Sequence, residues 1–489
     1  MIRYLVLVST LLAAAIGHAD VLIQGVTIVS PERSKPVPAQ HVLVRGDRIA
    51  QISSKPIAAA NVERVNGANR FLTPGIMDSH VHLRDAPGLP LGSQEPAHRE
   101  LREVFLGQQP RSYLYFGVTQ VLDTVSSAEA ISAFNAQAQR PDTLWCEAAP
   151  ALDGYPTVFV PAPARYELLP SYIFEPANAA EHPLPPGAKA EDHTPEAVIA
   201  RIAATDATCL KIFIETGFGG ANDWPVFSDE TLSRIRALTR QHGLLLVAHA
   251  NSLRAQRRAV AAQVDVIAHG LWNWDEVSNK EDMPAAIADH LRQLHQHKIG
   301  IQPTMRVLPG LADLFRHDTL RDPFYKKVVP AELLAWYSTE AGQWFKEDLR
   351  KGFGGADDVK IAHMHLQGAA GGMRVAKFLH DLGHPLLLGS DTPSGPTYGN
   401  QPGYDTYREM RFMAQSGIPL AAILQAATIN NARQFAIDKD YGTVEVDKVA
   451  NLLLLEANPL ETVRAWSEID KIVLRGKLIE REGLAADAQ

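Results

Sequence analysis

Short apolar runs broken by turn residues occupy both ends of the chain, and an alternation of strands and helices fills the middle. From Val21 to about Phe71 the runs Val21-Leu-Ile23, Val26-Thr-Ile-Val29, His41-Val-Leu-Val-Arg45 and Arg48-Ile-Ala-Gln-Ile52 read as strands. Gly46-Asp47 between the last two suits a two-residue hairpin turn. The C-terminal end has the same texture, in Val444-Glu-Val446, Leu452 to Leu455, Ile472-Val-Leu474 and, after Gly476, Lys477-Leu-Ile479. Neither end is large enough to bury a core alone, so residues 20–72 and 437–482 are expected to form one β-sandwich. Residues 73–436 would then be an insertion within it.

Strands in that insertion are predicted to begin near Ile76, Val118, Leu144, Leu210, Leu244, Val264, Ile299 and Leu386. Ser228 to His242 shows the helical partner: a Ser cap, Asp229 and Glu230 in the first turn, then Leu232, Ile235 and Leu238, with Gly243 as the stop. Eight such units predict an α/β fold, a (β/α)₈ TIM barrel, with a doubly wound open sheet as the alternative. Two connections are longer than the usual few residues. Residues 150–200 are rich in Pro and aromatics, and residues 305–378 read as mostly helical. Each follows a strand, so each should stand over the C-terminal face of a barrel.

Composition narrows the class. The chain has 489 residues, 46% hydrophobic and 21% charged, with a net charge of -8. That is an ordinary globular composition, and it lacks the basic footprint of a nucleic-acid binder. Arg3, the apolar run Tyr4 to Ile16 and the small-x-small Gly17-His18-Ala19 resemble a signal peptide over residues 1–19, cleaved after Ala19. The run is short of the roughly 20 apolar residues that span a bilayer. A periplasmic or secreted protein with no membrane attachment after cleavage is expected. Cys146 and Cys209 would stand either as a pair or as two buried thiols.

The chemistry gathers at strand ends. In Pro74-Gly-Ile-Met-Asp78-Ser-His80-Val-His82-Leu-Arg84-Asp85, the period of two points His80 and His82 to one face, where both can hold one metal ion. In Thr208-Cys-Leu-Lys211-Ile-Phe-Ile-Glu215, the same alternation turns Cys209, Lys211, Phe213 and Glu215 inward. A Lys211–Glu215 pair is one reading of that strand. Yet His249 ends Leu244-Leu-Leu-Val-Ala-His249, His269 ends Val266-Ile-Ala-His269, and Asp391 follows Leu386-Leu-Leu-Gly-Ser390. Six such residues at the ends of the first, fourth, fifth, sixth and eighth strands form a joint pattern. With two divalent ions present, an ammonium at Lys211 would be repelled. A carbamate formed from Lys211 and CO2 would instead be an anion able to bridge both ions.

In these motifs the sequence resembles the amidohydrolase superfamily, in its binuclear, carboxylated-lysine subtype, over essentially the whole mature chain. The resemblance implies that His80, His82, Lys211 and Asp391 hold the first ion and Lys211, His249 and His269 the second. It implies zinc as the metal, a bridging hydroxide as nucleophile, and Asp391 as both ligand and general acid–base.

The Ala248-His249-Ala250 and Ile267-Ala-His269-Gly270 contexts are most similar to the Xaa-Pro dipeptidase (prolidase-like) and imidazolonepropionase-related branch. That likeness implies cleavage of the amide bond of small peptides or N-acyl amino acids. Arg84 is the candidate cation for the substrate carboxylate, or else an ion-pair partner of Asp85; Tyr155 would polarise a carbonyl or pack. Trp272 and Trp274 either line the pocket or pack, and His363-Met-His365 reads as a solvated or packed pair. The first motif also resembles dihydroorotases, so a cyclic amide, lactone or organophosphate hydrolase is the alternative, and a structural metal site in a binding module is a third. The expected partner is a small-molecule or short-peptide substrate. Monomer and homo-oligomer are both open.

Overall fold

The computed structural model describes residues 20–488 apart from 163, 219–222, 278–281 and 317; the proposed leader lies outside the described residues. Fifteen strands are described: β1 Asp20–Ile28, β2 Val37–Arg45, β3 Arg48–Ser53, β4 Val62–Asn66, β5 Phe71–Pro74, β6 Ile76–Val81, β7 Val118–Ser126, β8 Asp142–Ala148, β9 Cys209–Phe213, β10 Leu245–His249, β11 Val266–Ala268, β12 Gly300–Gln302, β13 Leu452–Leu455, β14 Ile469–Leu474 and β15 Lys477–Glu480.

The two chain ends come together as expected, through β5 paired antiparallel to β13. A sandwich implies two separate sheets, but the strands share one hydrogen-bonded path, β15-β14-β13-β5-β1-β2-β3, with β4 beside β1. The reason lies in β1. Its first half pairs with β4 and its last residues pair with β5. Between them Gly25 takes φ +72°, a left-handed conformation that suits a residue without Cβ. The register of β1 against β2 slips at the same place. One bent sheet therefore closes over a shared apolar cluster that joins Val21, Ile23 and Val65 to Leu452, Leu454 and Val473.

The middle of the chain forms a parallel sheet in the order β12-β11-β10-β9-β8-β7-β6. The eighth stave, residues 386–392, closes the ring without a regular ladder. Leu387 N–H donates to Ile301 O (3.1 Å), Ser79 N–H to Leu388 O (2.9 Å) and His82 N–H to Thr392 O (3.0 Å). It stays irregular because Leu388 N–H turns to Ala426 O, and Asn431 Nδ2 donates to Leu388 O. Gly389 permits the close approach: a Cβ there would lie 2.9 Å from Cβ of His80.

Alternation on β9 runs as the pattern predicts. Leu210, Ile212 and Ile214 pack in the apolar layer that includes Ile199, Ile235 and Leu238 of the helices, while Cys209 joins Met77, Leu122, Val247 and Phe435 in a separate cluster. Cys209 and Cys146, in register on β9 and β8, form a disulfide, so of the two arrangements open to them the pair is the one adopted. Among the described residues, no helix is long and apolar enough to cross a membrane.

Candidate metal centre

Local backbone geometry explains how the strand ends present their side chains. The register of β6 against β7 shifts between Asp78 and Val81, so the end of β6 leaves the regular ladder. His80 and His82 then meet edge to face, with centroids 5.3 Å apart. His269 (φ +75°), Thr304 (φ +42°) and Asp391 (φ +55°) all sit in the left-handed region. For residues with a Cβ that conformation costs energy, and such outliers cluster at functional sites.

Asp391 is the hub. Its Oδ1 lies 2.9 Å from Nε2 of His82 and 3.2 Å from Nε2 of His80, and its Oδ2 lies 3.6 Å from Nδ1 of His269. His269 stands beside His80 (centroids 4.9 Å) and His249 (4.6 Å). Lys211 is buried on β9, and no ion pair to its amine is found among the described residues. The structure thus gathers His80, His82, His249, His269 and Asp391, with Lys211 close enough for its charge to influence three of the imidazoles.

Electrostatics favour the neutral, metal-binding form at His80, His249 and His269, whereas at His82 the Asp391 carboxylate outweighs burial and raises the imidazole. Burial, reinforced by the Lys211 amine, pushes His80 down to about 4, and burial drives His249 and His269 well below the usual imidazole range. These three are neutral near pH 7. Burial would raise Asp391, but His80 and His269 outweigh it and hold the carboxylate well below its ordinary value. Burial lowers Lys211 to about 7, against the opposing pull of Asp391.

The donor set fits a divalent ion. His80, His82 and Asp391 offer ligand atoms within 4.8 Å of one another. Nε2 of His249 is buried with no hydrogen-bond partner, an expensive state unless something else engages it. Neutral imidazoles and a carboxylate are the ligand types that zinc takes.

Several supporting residues carry no motif and escape a reading of sequence. Gln302 Nε2 donates to the oxygens of Ser79, which turns its Oε1 toward Nδ1 of His80 at 3.0 Å. Nδ1 must then carry the proton, leaving the Nε2 lone pair free for a metal. Thr304 Oγ1 sits 3.1 Å from Nδ1 of His269. Asp78 accepts from Ser390 N–H (3.0 Å), Thr406 Oγ1 (2.6 Å) and His80 N–H (3.2 Å), tying the first stave to the eighth. Their one sequence signal is position, since Gln302 ends β12, Thr304 lies two residues beyond it and Asp78 sits two residues before His80.

Other candidates fall differently. Glu215 does not pair with Lys211: it accepts from Asn251 N–H (2.8 Å) and Ser252 Oγ (2.9 Å), because β9 ends at Phe213 and the chain turns away. Arg84 donates to Leu168 O (3.2 Å), and no ion pair to Asp85 is found among the described residues. Leu168 packs with Tyr155 and Phe213, so Arg84 borders that apolar cluster. The Tyr155 ring lies 4.5 Å from His249, and Trp272 lies 5.3 Å from His269, both centroid to centroid. Trp274 is buried and donates to Leu271 O. His363 and His365 stand on the helix Asp358–Asp381, where a spacing of two turns them to different faces; His365 packs edge-on against Phe353.

Comparison with known proteins agrees with this architecture. Residues 332–479 match the amidohydrolase family, a stretch that includes Asp391 and β13 to β14. No curated protein matches the chain in sequence. Among solved structures it is similar to a Xaa-Pro dipeptidase with methionine bound in its active site (17% identity, TM-score 0.66, covering 94% of this chain and 100% of that one). It is also similar to molinate hydrolase (18%, 0.65, 96% of each) and to A. niger ochratoxinase (17%, 0.63, 94% of this chain and 96% of that one). At these identities the likeness shows a shared fold. The family match over residues 332–479 supports a hydrolase acting on carbon–nitrogen bonds.

Proposed function

We propose that the protein is an exported, binuclear metal-dependent amidohydrolase that cleaves the amide bond of small peptides or N-acyl amino acids. The observation that carries the reading is the buried cluster around Asp391, in which imidazoles and one ionised carboxylate converge. His80, His82 and Asp391 would hold one ion and His249 and His269 a second, with Lys211 between them as a carbamate. Zinc suits the donor set. Divalent ions bound there would lower the pKa of a shared water and polarise the scissile carbonyl.

The chain's own residues supply the rest. Lys211, lowered to about 7, is largely the free amine at mildly alkaline pH, the form whose nitrogen can bond to CO2 with loss of one proton to give the anionic carbamate. Asp391, held ionised, would take a proton from the nucleophile and return it to the leaving nitrogen. Gln302 holds the tautomer of His80, and Thr304 orients the ring of His269. Arg84 is the cation nearest in sequence to the ligand pair, and its place beside the Tyr155 cluster suits a substrate carboxylate. Export is part of the reading, supported by the apolar leader-like segment and by the Cys146–Cys209 disulfide, a bond at home in oxidising compartments.

The test is release of amino acids from a panel of dipeptides and N-acyl amino acids by zinc-loaded protein. Turnover that disappears with chelation and returns with metal is expected. No turnover of any amide by protein that holds its metal would reject the reading.

A further inference from the structure

An aromatic cluster stands beside the metal centre and is not needed to hold it. The rings of Tyr155 and Trp224 are nearly parallel, 10° apart in plane with centroids 5.7 Å apart. Phe159 meets both edge-on, at 6.0 Å and 88° to Tyr155 and 5.4 Å and 85° to Trp224. Phe218 does the same from another position, at 5.2 Å and 80° and at 5.1 Å and 87°. Tyr155 joins the group to the site through His249, and Phe218 also reaches that imidazole, with centroids 6.1 Å apart.

Burial separates this cluster from an ordinary core. Phe159 is 59% exposed and Phe218 is 40% exposed, although both are large apolar side chains in contact with other rings. A cluster formed only for stability would cover them, and a grouped apolar exposure beside a reactive centre is the usual mark of a binding surface. The T-shaped contacts with Tyr155 and Trp224 leave part of each Phe ring uncovered. Aromatic faces carry partial negative charge and attract the positive edge of another ring. A cation would also be drawn to such faces. Arg254, whose Nη2 bonds Thr216 Oγ1 (3.1 Å) on the loop that carries Phe218, works against a cationic side chain there.

Resting on the amide-hydrolase reading above, we infer that Tyr155, Phe159, Phe218 and Trp224 form a specificity subsite for a substrate side chain that is itself an aromatic ring. The preferred substrates are dipeptides or N-acyl amino acids in which a phenyl-type ring is carried next to the scissile amide. Phe159 and Phe218 receive the ring, while Tyr155, packed against His249, sets its distance from that imidazole.

The experiment uses zinc-loaded full chain and matched amides carrying alanine, cyclohexylalanine, phenylalanine or lysine on either side of the scissile bond. Cyclohexylalanine keeps the bulk and apolarity of phenylalanine but lacks its π face. An aromatic subsite gives kcat/KM for phenylalanine about fivefold or more above cyclohexylalanine, the scale expected of an aromatic pair. Phe159→Leu and Phe218→Leu, which remain apolar, should each pull that ratio toward one, with metal content checked as a sign of intact folding. Equal turnover of the two substrates, a preference for lysine, or an unchanged ratio in both variants would overturn the subsite while leaving the hydrolase reading in place. Failure of the metal-loaded protein on every amide would reject that reading, and the subsite with it.

Discussion

Gln302 Oε1 lies 3.0 Å from Nδ1 of His80, and this contact sets which imidazole nitrogen can bind a metal. Because the Gln302 amide nitrogen already serves the oxygens of Ser79, its orientation is not free. Gln302→Met keeps much of the volume but removes the acceptor. Metal affinity should fall by about 10–100-fold, the usual cost of losing a partner behind a ligating histidine. Zinc retained against a graded chelator series measures this, and affinity equal to wild type would show that the contact is incidental.

Lys211 makes the metal-free protein sensitive to pH in a defined direction. Its folded-state value, about 7, is below the ordinary lysine value of 10.5, so between those two the unfolded chain binds more protons than the folded one. Stability contributed through this residue therefore rises as pH increases from about 7 toward 10.5. With metal removed and CO2 excluded, the Tm of wild type relative to Lys211→Met should climb between about pH 6.5 and 9. A flat or falling difference would contradict a lysine buried as an amine.

The same lysine is expected to be replaceable as an anion. Lys211→Ala should lose the second ion and at least about a thousandfold in turnover, and formate or acetate should restore part of both by occupying the carbamate position. Wild-type activity in the variant, or loss with no rescue by any short carboxylate, would count against the carbamate.

The Cys146–Cys209 disulfide closes a separation of 63 residues within the barrel wall. Loop-closure arguments assign such a bond about 2–5 kcal/mol. Replacing both cysteines by alanine should lower unfolding stability in urea by that order and make it insensitive to added thiol. No loss would mean that the bond is dispensable.

Arg84→Met should raise KM by about 10–100-fold for substrates with a free carboxylate, and far less for their C-terminal amides, since a charge-assisted hydrogen bond is at stake. Equal effects on acids and amides would assign Arg84 to its contact with Leu168 O alone.

Much of this centre is legible in the amino-acid sequence because strand periodicity is strict. His80 and His82, or Lys211 two residues beyond Cys209, must share a face, and a barrel sends strand ends to one rim. Glu215 shows where that rule stops: a strand pattern cannot reveal that β9 ends at Phe213, after which the side chain turns to Asn251 and Ser252. The bend of β1 at Gly25 and the irregular stave 386–392 depend on long-range pairing, to which local pattern is blind. Gln302 and Thr304 act through contacts with His80 and His269, on other segments of the chain, and neither residue type announces such a role.

The most direct test of the proposed binuclear centre is the metal content of the purified protein, measured together with the chemical state of Lys211 and amide turnover on the same sample. Two ions per chain, a lysine carrying one added CO2, and metal-dependent release of amino acids are the predicted result. Fewer than two ions in fully active protein, with Lys211 unmodified, would contradict the two-metal mechanism at its root.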